Sequence, residues 1–207
     1  MPSGSSRNSV MPGTRSGFCR TVMRSVYVTT YNRRIDHRLH GARGTGMTAH
    51  RQIGEPGIAE LPEQRIAYIN MRGPYEQYPE AIGKLLEWIE SVGAEIVAPP
   101  GGTYKDDPST TPPDQLDWDA WAPIAPSTPE QDKNADGIGV INVPAGRYAS
   151  VLHKGPYDGI PASYGLLFTW LAQQEIQPAA PPMEVYLSDP AETPESDLIT
   201  EVRVLIM

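Results

Sequence analysis

The chain contains an internal repeat, and this repeat constrains the fold more than any other feature of the sequence. Residues 57–124 align with residues 139–206 at a constant offset of 82 without a gap, and 21 of the 68 aligned pairs are identical. The identical pairs run along the whole alignment: Gly73-Pro74-Tyr75 over Gly155-Pro156-Tyr157, Pro79 over Pro161, Trp88 over Trp170, Tyr104 over Tyr186 and Leu116 over Leu198. Such self-similarity predicts a tandem duplication of one supersecondary unit.

Each copy is predicted to form a strand, a helix and two further strands. The first strand, over 65–71 and 147–153, alternates in side-chain character, and Gly-Pro-Tyr then ends it, as Gly and Pro usually do. The helix has an apolar stripe at helical spacing in both copies: Ile82, Leu85, Leu86 and Ile89, then Tyr164, Leu167, Phe168 and Leu171. The later strands are placed near 103–105, 118–124, 185–187 and 199–206. We therefore predict an α+β fold of two strand-helix-strand-strand modules, related by a pseudo-twofold around a central groove.

Charge divides the chain into a basic arm, residues 1–54, and an acidic domain, residues 55–207. Residues 1–51 hold nine arginines and one acid, whereas the rest hold eight basic and 24 acidic residues, a formal charge of −16. The arm is rich in Gly, Ser and Arg, so we predict that it is disordered. It is a solvated tail, a tether for nucleic acid or a partner, or upstream sequence if translation starts at Met47. The acidic domain repels phosphate, so we expect no direct DNA binding by it.

Several function classes are disfavoured. The sequence has no apolar run long enough for a membrane span and no signal peptide, so we expect a cytoplasmic protein without a membrane partner. Cys19 is the single cysteine and His153 the only histidine of the acidic domain, which argues against disulfide, metal and haem sites. Phosphate-loop, dinucleotide and nucleophile-elbow motifs are missing too, and we expect no cofactor.

Strand alternation suggests which residues face the helices. Small apolar residues are assigned to the helix side because that face must pack densely: Ala67, Ile69, Ala120, Ala122, Ala149, Val151, Val185, Leu187, Val202 and Val204. The opposite face then carries the candidate ligand-binding residues: Tyr68, Tyr104, Trp121, Tyr148, Glu184, Tyr186, Glu201 and Arg203. So many aromatic residues on one face predict a groove for a small molecule where the two modules meet.

Two carboxylates distinguish the second copy within this groove. Glu184 takes the place of Gly102, and Glu201 takes the place of Asp119. A carboxylate among aromatic rings can attract a cationic ligand, or it can act as a general acid or base. Alternatively, Glu184 and Glu201 form a rim cluster with Arg203, and the aromatic residues only pack the module interface.

The acidic domain resembles the GyrI-like (gyrase-inhibitor-like) small-molecule-binding domains, which also form the effector-binding ends of multidrug-sensing bacterial regulators. The segments that carry the resemblance are RGPYEQYPEAIGKLLEWI, TYKDDP, HKGPYDGIPASYGLLFTWL, MEVYLSDP and LITEVRVLI. The resemblance implies a ligand between two strand-helix-strand-strand modules, with roles for Glu184 and Glu201. Some members resemble hydrolases of strained electrophilic natural products that use such glutamates.

Three functions follow as hypotheses. The leading one is a stand-alone protein that binds amphipathic, aromatic or cationic compounds, since no helix-turn-helix is present. The second is a hydrolase of cyclopropanoid-type compounds, in which Glu184 or Glu201 is the catalytic residue. The third is a protein-interaction module whose acidic surface engages a basic partner.

Overall fold

The computed structural model describes residues 52–207, which form two helices and a single eight-stranded antiparallel sheet. The strands are β1 (Gly57–Leu61), β2 (Gln64–Arg72), β3 (Gly101–Tyr104), β4 (Asp117–Pro123), β5 (Ile138–Val143), β6 (Gly146–Lys154), β7 (Met183–Tyr186) and β8 (Ile199–Leu205). The helices are α1 (Tyr78–Ser91) and α2 (Ile160–Gln173). The predicted α+β class is confirmed. The predicted arm lies outside the described residues except at its end, where Ile53 bridges Leu152.

The strand order is β1-β6-β8-β7-β3-β4-β2-β5, and it differs from the prediction in one respect. Each sequence repeat begins with an additional strand, β1 or β5, that the alternation pattern did not reveal. These strands are exchanged, because β1 pairs with β6 of the second repeat and β5 pairs with β2 of the first. The element order is therefore β-β-α-β-β in both halves, and β3 and β7 meet at the centre of the sheet.

The helix α1 buries the whole apolar stripe that the sequence predicted, whereas α2 buries half of its stripe. In α1, Ile82, Leu85 and Ile89 are fully enclosed, and Pro79 lies in the first turn, where its missing N–H costs nothing. In α2, Leu167 and Leu171 are buried, whereas Tyr164 and Phe168 of the same stripe are half-buried. This difference leaves aromatic side chains at the edge of α2.

Both helices end in the same hydrogen-bonded turn, with one residue in the left-handed conformation. That residue is Gly93 (φ +66°) after α1 and Glu175 (φ +57°) after α2. The next N–H, of Ala94 or Ile176, donates to the helix carbonyl five residues back at 3.0 Å in each case. This is a Schellman motif, which normally has glycine at the left-handed position. Glu175 therefore holds a conformation that costs an L-residue about 1–2 kcal/mol.

The core lies between the sheet and the helices, which cover the strands on either side of the central pair β3 and β7. α1 packs on β2 and β4, and α2 packs on β6 and β8. Eight of the ten small apolar residues assigned to this face lie in the two core clusters beneath the helices: Ala67, Ile69, Ala120, Ala122, Ala149, Val151, Val202 and Val204. Between residues 52 and 207, no helix is long and apolar enough to cross a membrane.

Candidate ligand sites on the two faces of the sheet

The predicted site residues divide between the two faces of the sheet rather than sharing one groove. Five of them lie on the open face, away from the helices: Tyr68, Trp121, Tyr148, Glu201 and Arg203. The other three lie on the helix face: Tyr104, Glu184 and Tyr186. The face assignment of these three was therefore wrong, and so was that of Val185, which packs in the open-face cluster. Leu187, also assigned to the core, is 39 % exposed.

The error has a physical reason in the position of the helices. The assignment assumed that small residues mark the helix side along every strand. That assumption holds for β2, β4, β6 and β8, which lie under a helix. Strands β3 and β7 lie between the helices, and large side chains fill the space above them. On these two strands, tyrosine and glutamate face the helix side instead of alanine or valine.

A hydrogen-bonded chain of hydroxyl and carboxylate groups lies on this part of the helix face. Tyr164 of α2 donates to Oε1 of Glu184, and Tyr186 donates to Oε2, each at 3.0 Å. The hydroxyls of Tyr104 and Tyr186 are 2.6 Å apart. Because Tyr186 gives its single proton to Glu184, Tyr104 is the donor in that contact. We call Tyr104, Tyr164, Glu184 and Tyr186, with the rings packed around them, the Glu184 cluster.

Three further tyrosines complete the Glu184 cluster through edge-to-face contacts. The ring centroid of Tyr75 is 4.8 Å from that of Tyr104. Those of Tyr78 and Tyr157 are 5.1 and 5.6 Å from that of Tyr186. Edge-to-face geometry adds about 0.5–1.5 kcal/mol per pair beyond area burial. Both repeats therefore contribute rings around one carboxylate.

Sequence reasoning missed four of these residues: Tyr75, Tyr78, Tyr157 and Tyr164. Tyr75 and Tyr157 are the tyrosines of the two Gly-Pro-Tyr segments, and each begins a short 3-10 turn before its helix. The end of the strand and the start of the helix explain the glycine and the proline of those segments but not the tyrosine. The presence of the same tyrosine in both repeats was the signal that could have identified it as a site residue.

The electrostatics of the Glu184 cluster follow from burial. Glu184 is only 9 % exposed, and burial raises the pKa of its carboxyl group to about 6, although the two tyrosine hydrogen bonds oppose this rise. Burial and then the nearby charge of Glu184 raise the pKa values of Tyr104, Tyr164 and Tyr186 above their ordinary value. These hydroxyls therefore stay protonated and act as donors, while Glu184 titrates near neutral pH.

The open face carries a cavity of about 210 Å³. Aromatic rings of Tyr68, Trp121 and Tyr148 line it, together with aliphatic side chains that include Met183 and Leu205. The ring of Trp121 lies over Gly101, where an added Cβ would collide with it. Two hydrogen bonds hold the walls, from Trp121 Nε1 to Thr103 Oγ1 at 3.1 Å and from Tyr148 Oη to the Pro144 carbonyl at 2.9 Å.

Arg203 lies beside this cavity, between two of its aromatic walls. Its guanidinium carbon is 5.8 Å from the centroid of the Trp121 ring and 5.7 Å from that of the Tyr148 ring. A carboxylate oxygen of Glu201 lies 4.0 Å from the guanidinium, and both side chains are 9 % exposed. Glu201 and Arg203 do pair, as one alternative held, but Glu184 is on the other face and cannot join them. No three metal-ligating side chains come together within residues 52–207.

The family of the chain follows from comparison with known proteins. Residues 54–207 match the model of the GyrI-like small molecule binding domain, which covers most of the chain. The chain belongs to this family, and the resemblance found in the sequence is confirmed.

Solved structures show the same fold. The crystal structure of the EcmrR C-terminal domain has a TM-score of 0.64 at 19% identity, covering 74% of this chain and 97% of that domain. A conserved protein from Listeria innocua has a TM-score of 0.63 at 14% identity, covering 75% of this chain and 93% of its own. A hydrolase from Listeria innocua has a TM-score of 0.58 at 14% identity, with 76% and 94% covered. At these identities the likeness is one of fold.

Proposed function

We propose that this protein is a stand-alone binding protein for amphipathic aromatic compounds, cationic ones above all, and that the Glu184 cluster is its binding site. The observation that carries this proposal is a carboxylate 9 % exposed among tyrosine rings from both repeats. A few polar groups converging within aromatic walls are typical of small-molecule sites. Family membership supports the class of function.

The preference for cations follows from the charges and rings of the cluster. A cation near Glu184 gains Coulomb energy, which is larger at a buried site than in water. The electron-rich faces of aromatic rings attract the same charge. Tyr75, Tyr157 and Tyr164 are half-buried, so the ligand would lie against these rings at the surface of the cluster.

The same arrangement supports the groove and the duplication expected from the sequence. The element order is repeated in the two halves, and the central pair β3 and β7 lies where a pseudo-twofold axis would pass. The proposed groove then lies between α1 and α2, over these two strands. Its glutamate comes from one repeat only, since Gly102 stands opposite Glu184 on β3. A ligand would therefore bind in one orientation despite the approximate symmetry.

Titration with ethidium, a planar aromatic cation, tests the proposal. Glu184→Gln should raise the dissociation constant at least about tenfold, which corresponds to ~1.4 kcal/mol. Glu87→Gln changes a carboxylate on the exposed side of α1 and should leave the dissociation constant as it is. The uncharged analogue phenanthridine should not distinguish wild type from Glu184→Gln. Equal ethidium affinities in wild type and Glu184→Gln would contradict the role of Glu184, and a loss in Glu201→Gln alone would assign the ligand to the open face.

The pKa of Glu184, near 6, favours hydrolysis of strained rings as a second candidate function. A carboxylate that titrates near neutral pH is suited to general acid or base catalysis. In epoxide opening, Glu184 would accept a proton from water as the water oxygen bonds to a ring carbon. The strained C–O bond breaks, and the proton reaches the released oxygen through the hydroxyl of Tyr164.

A measurement of substrate turnover distinguishes hydrolysis from binding alone. Wild-type protein should consume styrene oxide faster than buffer does, with a rate that rises with pH through about 6 as Glu184 ionises. Glu184→Gln should still bind the compound and lose the turnover. Consumption no faster than in buffer, for styrene oxide and for a cyclopropane-containing compound, would leave binding as the function.

A further inference from the structure

We propose that the open face of the sheet holds a second binding site, for small uncharged ring compounds, in the cavity between Tyr68, Trp121 and Tyr148. The cavity measures about 210 Å³. An apolar cavity of about 150 Å³ is enough to take up benzene, so this one has room for a compound of one or two fused rings.

The aromatic walls of the cavity are held in place by close contacts and hydrogen bonds. The ring of Tyr68 lies over Gly139 and that of Trp121 over Gly101, since an added Cβ at either glycine would meet the ring at once. Glycine at these positions lets the two rings lie against the backbone. The side chains of Trp121 and Tyr148 are held by hydrogen bonds to Thr103 and Pro144. Walls that are already ordered lose little entropy when a ligand binds.

The charges around the cavity favour an uncharged ligand. Arg203 faces Glu201 at 4.0 Å, and Asp119, which lines the cavity, is bound by Lys105 at 3.0 Å. Arg203 and Asp119 therefore each have an opposite charge next to them. An ion entering the cavity would lose its hydration without gaining a new counter-charge, which is costly. A neutral ring compound avoids this cost and gains from apolar contact.

The hydroxyl group of Tyr68 gives the site one hydrogen-bond donor for a ligand. Among the hydrogen bonds within residues 52–207, none involves the Tyr68 hydroxyl, whereas the hydroxyl of Tyr148 is occupied by the Pro144 carbonyl. Tyr68 can therefore donate to an acceptor atom on the ligand without breaking an existing bond. A ring compound with one hydroxyl or ether oxygen fits this requirement.

The open-face site is separate from the Glu184 cluster although one strand serves both. Along β7, Met183 and Val185 point to the open face, while Glu184 and Tyr186 point to the helix face. The cavity lining and the Glu184 cluster have no residue in common. Each site can therefore be changed without touching the other.

Two-dimensional NMR of the full chain, with methyl-labelled methionine, tests the proposal with 2-naphthol as the probe. Met183 lines the cavity, whereas Met71 packs in the core cluster on the helix face. The Met183 methyl signal, identified by Met183→Leu, should shift on titration, and the Met71 signal should stay. The sodium salt of 2-naphthoic acid, which has similar size and a negative charge, should bind more weakly than 2-naphthol.

Two matched substitutions locate the probe. Ala180→Trp introduces a large side chain at an exposed position of the cavity lining, and it should weaken 2-naphthol binding about tenfold or more. Ala98→Trp makes the same change at the aligned position of the first repeat, outside the lining, and should have no effect.

The outcomes separate this proposal from the proposed function. Binding of 2-naphthol that survives Glu184→Gln and is lost in Ala180→Trp supports the open-face site, whatever ethidium does. Binding that is lost in Glu184→Gln and kept in Ala180→Trp overturns it and assigns the probe to the Glu184 cluster. A Met183 signal that does not move at millimolar 2-naphthol overturns it as well.

Discussion

The hydroxyl groups of Tyr104 and Tyr186, which occupy aligned positions in the two sequence repeats, lie 2.6 Å apart across β3 and β7. Tyr186 also donates to Glu184, the residue that has Gly102 as its counterpart in the first repeat. The ring of Tyr104 folds over Gly102, so that any side chain added at Gly102 would require Tyr104 to move. The hydrogen-bonded chain is therefore asymmetric, because Glu184 and Tyr164 have Gly102 and Ile82 as their counterparts in the first repeat.

Removing one hydroxyl from this chain should change the titration of Glu184. Tyr186→Phe deletes a hydrogen bond that favours the charged carboxylate, so the pKa of Glu184 should rise above about 6. Tyr104→Phe should have a smaller effect, because Tyr104 contacts Glu184 only through Tyr186. Carbon NMR of labelled glutamate across pH 4 to 9 would measure both. A pKa that is unchanged in Tyr186→Phe, as expected for the open-face control Tyr148→Phe, would contradict the hydrogen-bond assignment.

Glu184 should also make stability depend on pH. Its pKa in the folded protein, about 6, lies above its ordinary value of 4.5, so the folded state holds the proton more tightly. Stability from this group is fully present below about pH 4.5 and is lost as pH rises through about 6, a difference of about 2 kcal/mol.

Denaturant unfolding of wild type and Glu184→Gln would check this linkage. The variant carries no titrating group at position 184. As pH rises from 4.5 to 7.5, the free energy of unfolding of wild type should therefore fall relative to that of the variant. A difference between the two proteins that stays constant over this range would show that Glu184 does not titrate in it.

Glu175 should be replaceable by glycine with a gain in stability. Its φ of +57° is strained for an L-residue, and Gly93 occupies the corresponding left-handed position after α1. Glu175→Gly should raise the free energy of unfolding by about 0.5–1 kcal/mol, after allowing for the greater chain entropy of glycine. Gly93→Glu is the reciprocal change and should lower it by a similar or larger amount. A loss of stability in Glu175→Gly would mean that the glutamate side chain contributes more than the strain costs.

Two glycine-to-alanine changes should have opposite effects. Gly101→Ala places a methyl group against the Trp121 ring and the β7 backbone, so it should destabilise the protein by about 2 kcal/mol or more. Gly165 is exposed inside α2 with nothing within 4 Å of the added carbon, and Gly165→Ala should stabilise by about 0.5–1 kcal/mol. Thermal unfolding of both variants beside wild type would suffice. Equal effects of the two changes would contradict the close contact at Gly101.

Much of the fold was predictable because local patterns survive in the folded chain. The alternation in β2 and β6 and the stripe at Ile82, Leu85 and Ile89 follow from elements that have one face in the core and one outside it. Strands β1 and β5, which form the two edges of the sheet, escaped prediction. Their partners are set by exchange between repeats, which no local pattern records.

The sequence pointed to some residues of the candidate site but not to their arrangement. The sequence pointed to Glu184, Tyr104 and Tyr186, and the structure places these three together. It also pointed to Tyr68 and Trp121, which lie on the other face. Alternation gives only the relative phase of neighbouring residues. The absolute phase depends on where the helices lie, and over β3 and β7 neither helix covers the sheet.

The exchange of β1 and β5 has a consequence for synthesis on the ribosome. Gly57 of β1 pairs with Ser150 of β6, so β1, the first strand within residues 52–207, waits for a partner translated about ninety residues later. The edge of β2 likewise stays open until β5 has been made. Pairings this distant in sequence slow folding, because closing the long intervening loop costs entropy before any contact compensates for it. The first repeat therefore emerges with unpaired strand edges. These edges can pair only after the second repeat has been translated.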